Sequence, residues 1–290
     1  MEKRRITDLL IKSFQDELIS QEKSAATVEK YCRDVKLFSL FLTGNEVSKD
    51  RVVDFKHFLL QGKYAVASVN SMLASVNSFL AYMGWTDSKV KSIRCQKKIY
   101  CAEEKELTKA EYFSLLNAAE SKQTKLLLQT ICSTGIRVSE LRFFTVEALR
   151  QGEIIVDCKN KTRNILVPGK LRKQLLNYAK ERDVKAGAVF LGKTGKPLDR
   201  SRIWAIMKSL CKKAGVLESK VFPHNLRKLF ARTFYSTEKD IAKLADILGH
   251  SSINTTRIYI ISTGREHRRI IEQLGPVSYT HLTLPTMAVV

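Results

Sequence analysis

The sequence predicts a mainly α-helical chain of two domains, with one small antiparallel sheet confined to the second. Three observations carry this. Apolar residues recur at three-four spacing through the first 85 residues, a polar and basic stretch then breaks the pattern, and one pair of β-rich runs interrupts an otherwise helical remainder. A length of 290 residues with 44% hydrophobic content suffices to fill two cores.

The elements follow in chain order. Val28, Tyr31, Cys32, Val35 and Phe38 after Ser24, and Val52, Phe55 and Leu59 after Ser48, each outline the buried stripe of a helix with a serine cap. Ser68 is positioned to cap a third stripe of Val69, Met72, Leu73, Val76, Phe79 and Leu80, closed at Gly84. Residues 1–86 thus read as a helical bundle with Lys and Arg outside. Residues 87–106, basic (Lys89, Lys91, Arg94, Lys97, Lys98) and then acidic (Glu103, Glu104, Glu106), read as a linker.

Residues 107–275 form the second domain. Thr108 with Glu111 spells a capping box, and a longer helix through Leu126, Leu127, Leu128 and Ile131 stops at Gly135. The runs Glu153 to Asp157 and Asn164 to Pro168 flank the polar Lys159-Asn-Lys-Thr-Arg163, which predicts a hairpin with a basic tip. Helices resume at Leu171 to Glu181, Asp199 to Ala214 with Asp199 as cap, His224 to Tyr235 and Asp240 to Leu248. Residues 276–290 carry no charged side chain in a chain that is 27% charged, so they read as a non-native or disordered tail.

Charge narrows the function classes. Fifty Lys and Arg against 29 Asp and Glu give a formal net charge of +21, a field that gathers polyanions, nucleic acid first among them. No apolar run of about 18 residues spans a membrane and no signal-type segment follows Met1, so a cytoplasmic protein without membrane partners is expected. Cys32, Cys95, Cys101, Cys132, Cys158 and Cys211 include no CxxC pair and no nearby His ligand. Neither a zinc site nor a disulfide framework follows from them, and no cofactor or metal is implied.

Metal-free cleavage of a phosphodiester needs a nucleophile, cationic donors for the phosphorane oxygens and an acid for the leaving oxygen. Arg137 lies just past a helix end, His224 and Arg227 sit at i and i+3 on one helical face, His250 follows the next helix, and Tyr259 follows nine residues later. Taken singly, Arg137 reads as a helix-end cap, His224 as a core histidine and Tyr259 as a core or surface aromatic. Together, Thr134-Gly-Ile-Arg-Val-Ser-Glu-Leu141, Pro223-His-Asn-Leu-Arg227, Leu248-Gly-His-Ser-Ser252 and Thr255-Thr-Arg-Ile-Tyr259 resemble the successive boxes of the tyrosine recombinase family, the phage-type integrases and Xer-like site-specific recombinases. The N-terminal bundle is similar to that family's core-binding domain, and the second domain to its catalytic domain.

The resemblance implies a DNA recombinase that cuts and rejoins strands. Tyr259 would attack the scissile phosphate to give a 3′-phosphotyrosyl link and a free 5′ hydroxyl. Arg137 and Arg227 would grip the phosphate, His250 would donate to it, and His224 would assist proton transfer. The general acid would be a hairpin lysine, Lys159 or alternatively Lys161, because the family pattern aligns only with a one-residue gap. The partners implied are double-stranded DNA with specific recombination sites, clamped between the domains, a homotetramer on paired sites, and accessory DNA-bending or directionality proteins. Integration and excision of a mobile element is one role; a Xer-type resolvase of chromosome or plasmid dimers, a type IB topoisomerase, or a DNA-binding protein that kept the fold without the reaction are the others. Lys228 stands where the family often has His after the second arginine. The family's C-terminal segment, here the helix Glu266 to Leu274, commonly docks into a neighbouring subunit.

Overall fold

A computed structural model describes residues 4–94, 105–157 and 162–260. The chain divides into two compact units, Met1–Lys97 and Lys98–Val290. Lys159, Lys161, the segment Glu266 to Leu274 and the tail 276–290 lie outside the described residues, as do the acidic residues of the linker before Lys105.

The first unit packs α1 (Asp8–Ser20), α2 (Ala25–Leu42), α3 (Lys49–Gln61) and α4 (Val66–Tyr82) into a bundle. The predicted stripes are its core: Val35, Phe38, Val52, Phe55, Leu59, Val69, Val76, Phe79 and Leu80 are all buried. Each such apolar side chain contributes about 1.5–3 kcal/mol of transfer free energy. Phe14 meets Phe79 edge to face at 5.3 Å, which seats α1, a helix that the sequence reading left without bounds.

Two local expectations shift. Ser68 is not the cap of α4, which begins at Val66 after Ala65, so Ser68 lies in its first turn. Ser24 precedes α2 but spends its hydroxyl on Thr27 Oγ1 at 2.8 Å, whereas Ser48 accepts from Arg51 N–H as expected. Residues 87–94, read from composition as the start of the linker, pack on α4. Asn77 exchanges two hydrogen bonds with the backbone of Val90, and Asn70 two with that of Ile93. The two asparagines lie two turns apart on α4 and hold the segment as a strand partner would.

The second unit holds α5 (Lys109–Ala118), α6 (Lys122–Thr134), a 3₁₀ turn (Val138–Phe143), α7 (Val146–Gln151), strands β1 (Ile154–Asp157) and β2 (Thr162–Ile165), then α8 (Gly169–Glu181), α9 (Arg200–Ala214), α10 (Pro223–Glu238), α11 (Ile241–Leu248) and α12 (Ile253–Ile260). The capping box at Thr108 and Glu111 is present, and Asp199 caps α9. The strands pair antiparallel with Ile154 opposite Ile165 and Asp157 opposite Thr162. The second strand therefore begins two residues earlier than the apolar run suggests, because pairing and not hydrophobicity sets its start. Ile154 and Val156 face the core and Ile155 faces out, the alternation of a half-buried strand.

Helix α6 runs through the centre, with Leu126, Leu127, Leu128 and Ile131 fully buried, and packs on α8 and α10. It ends at Gly135, left-handed at φ +62° and closely overlaid by the Phe230 ring of α10. The chain thus leaves α6 directly beside α10, which is what places Arg137 near Arg227.

Candidate active site

Three arginines converge on one helix end. The last carbonyls of α11 have no partners within their own helix and carry the negative end of its dipole. Ile247 O accepts from Arg163 Nη1 at 2.6 Å, Leu248 O from Arg227 Nη2 at 2.8 Å, and Gly249 O from Arg137 Nη2 at 3.4 Å. Arg227 also donates to Gly135 O at the end of α6, so one guanidinium ties together the ends of two helices from inside the protein, at 1% exposure.

Among the described residues one carboxylate faces this group. Glu140 is buried, accepts from Arg137 N–H at 2.7 Å and from Arg137 Nη1 at 2.9 Å, and pairs with Arg163. Burial alone would raise its pKa, but the backbone N–H of Arg137 and the charge of Arg163 overcome that and hold it below the usual carboxylate range. Three guanidinium charges less one carboxylate leave a surplus of two. The Nε atoms of Arg163 and Arg227 are buried without a hydrogen-bond partner among the described residues.

The histidines register the same surplus. His224, in the first turn of α10, has its pKa lowered by burial and then by Lys228, Arg227 and Arg137. His250 follows the left-handed Gly249 and is pushed down to about 4 by burial and by Arg227, Arg137 and Arg163. Burial and Arg137 bring Arg227 itself down to about 10. His250 Nε2 lies 2.9 Å from Arg227 Nη2, and its Nδ1 lies 2.8 Å from Thr256 Oγ1.

Tyr259 lies on α12, its ring flanked by His224 and His250 with both ring centres 5.0 Å away and both edge-on. Arg227 Cζ stands 5.9 Å from the same ring. The ring closes a small apolar cluster with Ala231, Leu244 and Leu248, so Tyr259 is a core residue that also borders the arginine and histidine side chains.

Arg137, His224, Arg227, His250 and Tyr259, scattered over more than a hundred positions, are thus gathered in one pocket of charge. Lys159 and Lys161 lie outside the described residues. Sequence reasoning gave no role to Glu140, Arg163 or Thr256. The i, i+3 spacing of Arg137 and Glu140 was a signal that could have found the first; nothing local marks the other two.

Residues 105–265 match the phage integrase family, and residues 11–86 match the N-terminal SAM-like domain of phage integrases. The chain belongs to the phage integrase family. It is a tyrosine recombinase, an enzyme of site-specific recombination. A tyrosine recombinase XerC from Herpetosiphon aurantiacus is 30% identical over 261 residues, covering 80% of this chain and 83% of that one. A tyrosine recombinase XerA from Pyrococcus horikoshii is 26% identical over 271 residues, covering 91% and 93%. The integrase of transposon Tn1549, solved in complex with transposon right end DNA, superposes with a TM-score of 0.71 at 16% identity, covering 92% of this chain and 99% of that one, a likeness of fold. In this recombinase the family's core therefore sits in the unit that carries the arginine cluster.

Proposed function

We propose that Tyr259 is the nucleophile of the recombinase and that the surplus positive charge around it receives the scissile phosphate of DNA. One observation carries the reading: a buried tyrosine ring is flanked by two histidines and a buried arginine, beside three guanidinium groups that face a single carboxylate among the described residues. The Tyr259 oxygen attacks phosphorus as its proton passes to His224, and the bond from phosphorus to the 5′ oxygen breaks. The 3′ end stays on the tyrosine, and the 5′ oxygen takes a proton from Lys159 or Lys161. A 5′ hydroxyl of the partner strand then reverses the step, conserving the bond energy without ATP.

Arg137 and Arg227 offer planar donor forks that fit phosphate oxygens in pairs, which an ammonium group does not. The sites already formed by helix-end carbonyls hold them in place before the phosphate arrives, so little reorganisation is left for the transition state. His250 adds a donor, and His224, edge-on to the Tyr259 ring, takes up the phenol proton. Lys228, whose charge helps to lower the His224 pKa, supplies a cation where the family often has an imidazole.

The work of the enzyme in this reading is integration and excision of a mobile element by a homotetramer on paired double-stranded sites in the cytoplasm, with accessory DNA-bending or directionality proteins. A second reading, resolution of chromosome or plasmid dimers, is favoured by the XerC and XerA names of its relatives. Deleting the gene and scoring element excision against unresolved dimers separates the two.

The chemistry is tested with a nicked duplex whose sequence is selected from a random pool by binding to the protein. A covalent protein-DNA band is expected on a denaturing gel, absent in Tyr259→Phe with DNA binding retained. An adduct formed by Tyr259→Phe removes Tyr259 from the role.

A further inference from the structure

Arginine has donors and no acceptor, so the 2.9 Å contact between Arg227 Nη2 and His250 Nε2 fixes where the histidine proton is. Nε2 must be the bare, accepting nitrogen. A neutral His250 then carries its proton on Nδ1 and donates it to Thr256 Oγ1 at 2.8 Å. Thr256 is fully buried in the first turn of α12, one turn before Tyr259, and its hydroxyl has no other hydrogen-bond partner among the described residues.

In this resting arrangement His250 has no proton to offer a phosphate. Its Nδ1 is covered by Thr256, which leaves Nε2 as the atom that can reach substrate, and Nε2 is committed to Arg227. When a phosphate oxygen takes over the one Arg227 N–H that His250 accepts, Nε2 must gain a proton to donate in turn. Either a second proton arrives and Nδ1–H stays on Thr256, or the proton changes nitrogen and the Thr256 hydroxyl turns to donate to bare Nδ1. A hydroxyl supports both routes, because it can donate and accept; a methyl group supports neither.

We propose that Thr256 is a positioning residue that partners Nδ1 of His250 in either tautomer, accepting its proton while Arg227 keeps Nε2 bare in the free enzyme and supporting an Nε2–H donor once phosphate is bound. This rests on the reading of His250 as a phosphate donor. It also means that one turn of α12 delivers both the nucleophile and the group that prepares its partner histidine. The like charges of Arg137, Arg163 and Arg227 around the ring disfavour a permanently protonated imidazole, which is why the tautomer matters.

The test has two parts. In ¹⁵N-histidine-labelled free protein at neutral pH, the signal lost in His250→Ala is expected to show a protonated Nδ1 and an unprotonated Nε2; the opposite pattern overturns the inference without any other variant. In the nicked-duplex assay, Thr256→Val is expected to slow adduct formation about tenfold at unchanged DNA affinity, while Thr256→Ser stays within about twofold of the parent. In a His250→Ala background, Thr256→Val is expected to add nothing, because a residue acting through the histidine has nothing left to act on. An equal loss in both backgrounds overturns the inference. Failure of the parent protein to form an adduct instead sinks the nucleophile reading and leaves the tautomer result standing.

Discussion

At the scale of single residues, the site is a set of cations kept together at an energetic cost. His250 shows the cost most directly, since its folded pKa of about 4 lies below the ordinary 6.5. Between those values the unfolded chain binds a proton that the folded one refuses, so folding stability is expected to fall as pH drops from about 6.5 to about 4. His224 acts in the same direction, and Glu140, with its lowered pKa, adds its own loss at lower pH still. Denaturant midpoints measured across that range should show a shallower slope in His250→Gln than in the parent; identical slopes would contradict the assignment. A phosphate bound as proposed would favour the protonated imidazole, so DNA is expected to flatten the same slope.

At the scale of elements, the end of α11 organises the site. Gly249 must be left-handed, φ +64°, to turn the chain from Leu248 to His250, and a Cβ there would lie 2.5 Å from Cδ of Arg163. Gly215 closes α9 with nearly the same φ, +65°, but in open space. Gly215→Ala therefore carries only the backbone penalty, about 1 kcal/mol, while Gly249→Ala adds overpacking against Arg163 and is expected to cost about 1–3 kcal/mol more. Chemical denaturation of the two variants reads the difference. Gly249→Ala should also slow adduct formation, because Arg163 would have to leave Ile247 O and Glu140 to make room; Gly215→Ala should not.

At the scale of the whole molecule, the net charge of +21 dictates how DNA is held. Counterion release makes phosphate contacts salt-dependent, so a complex neutralising about ten phosphates should show a log-log slope of roughly −9 in equilibrium binding. A nearly flat dependence would mean that phosphates contribute little. Among the described residues no helix is long and apolar enough to cross a membrane. The family membership covers both units, so the chain carries the bundle that resembles a core-binding domain as well as the catalytic fold.

The amino-acid sequence by itself determined most of the helices, several of their caps, the paired strands and the order of the boxes, because periodicity, capping residues and turn glycines act over a few positions and can be read there. Arg137, His224, Arg227, His250 and Tyr259 were legible as a set for the same reason, each sitting in a short box. Even locally, Ser68 misled about the start of α4, since a serine in a first turn looks like one at a cap. Tertiary structure alone decided what holds those residues. The partners of the arginines are backbone carbonyls at Gly135, Ile247, Leu248 and Gly249, and a carbonyl carries no signature in sequence. Arg163 and Thr256 acquire meaning only when β2 and α12 fold against the end of α11, a matter of long-range packing that no local pattern encodes.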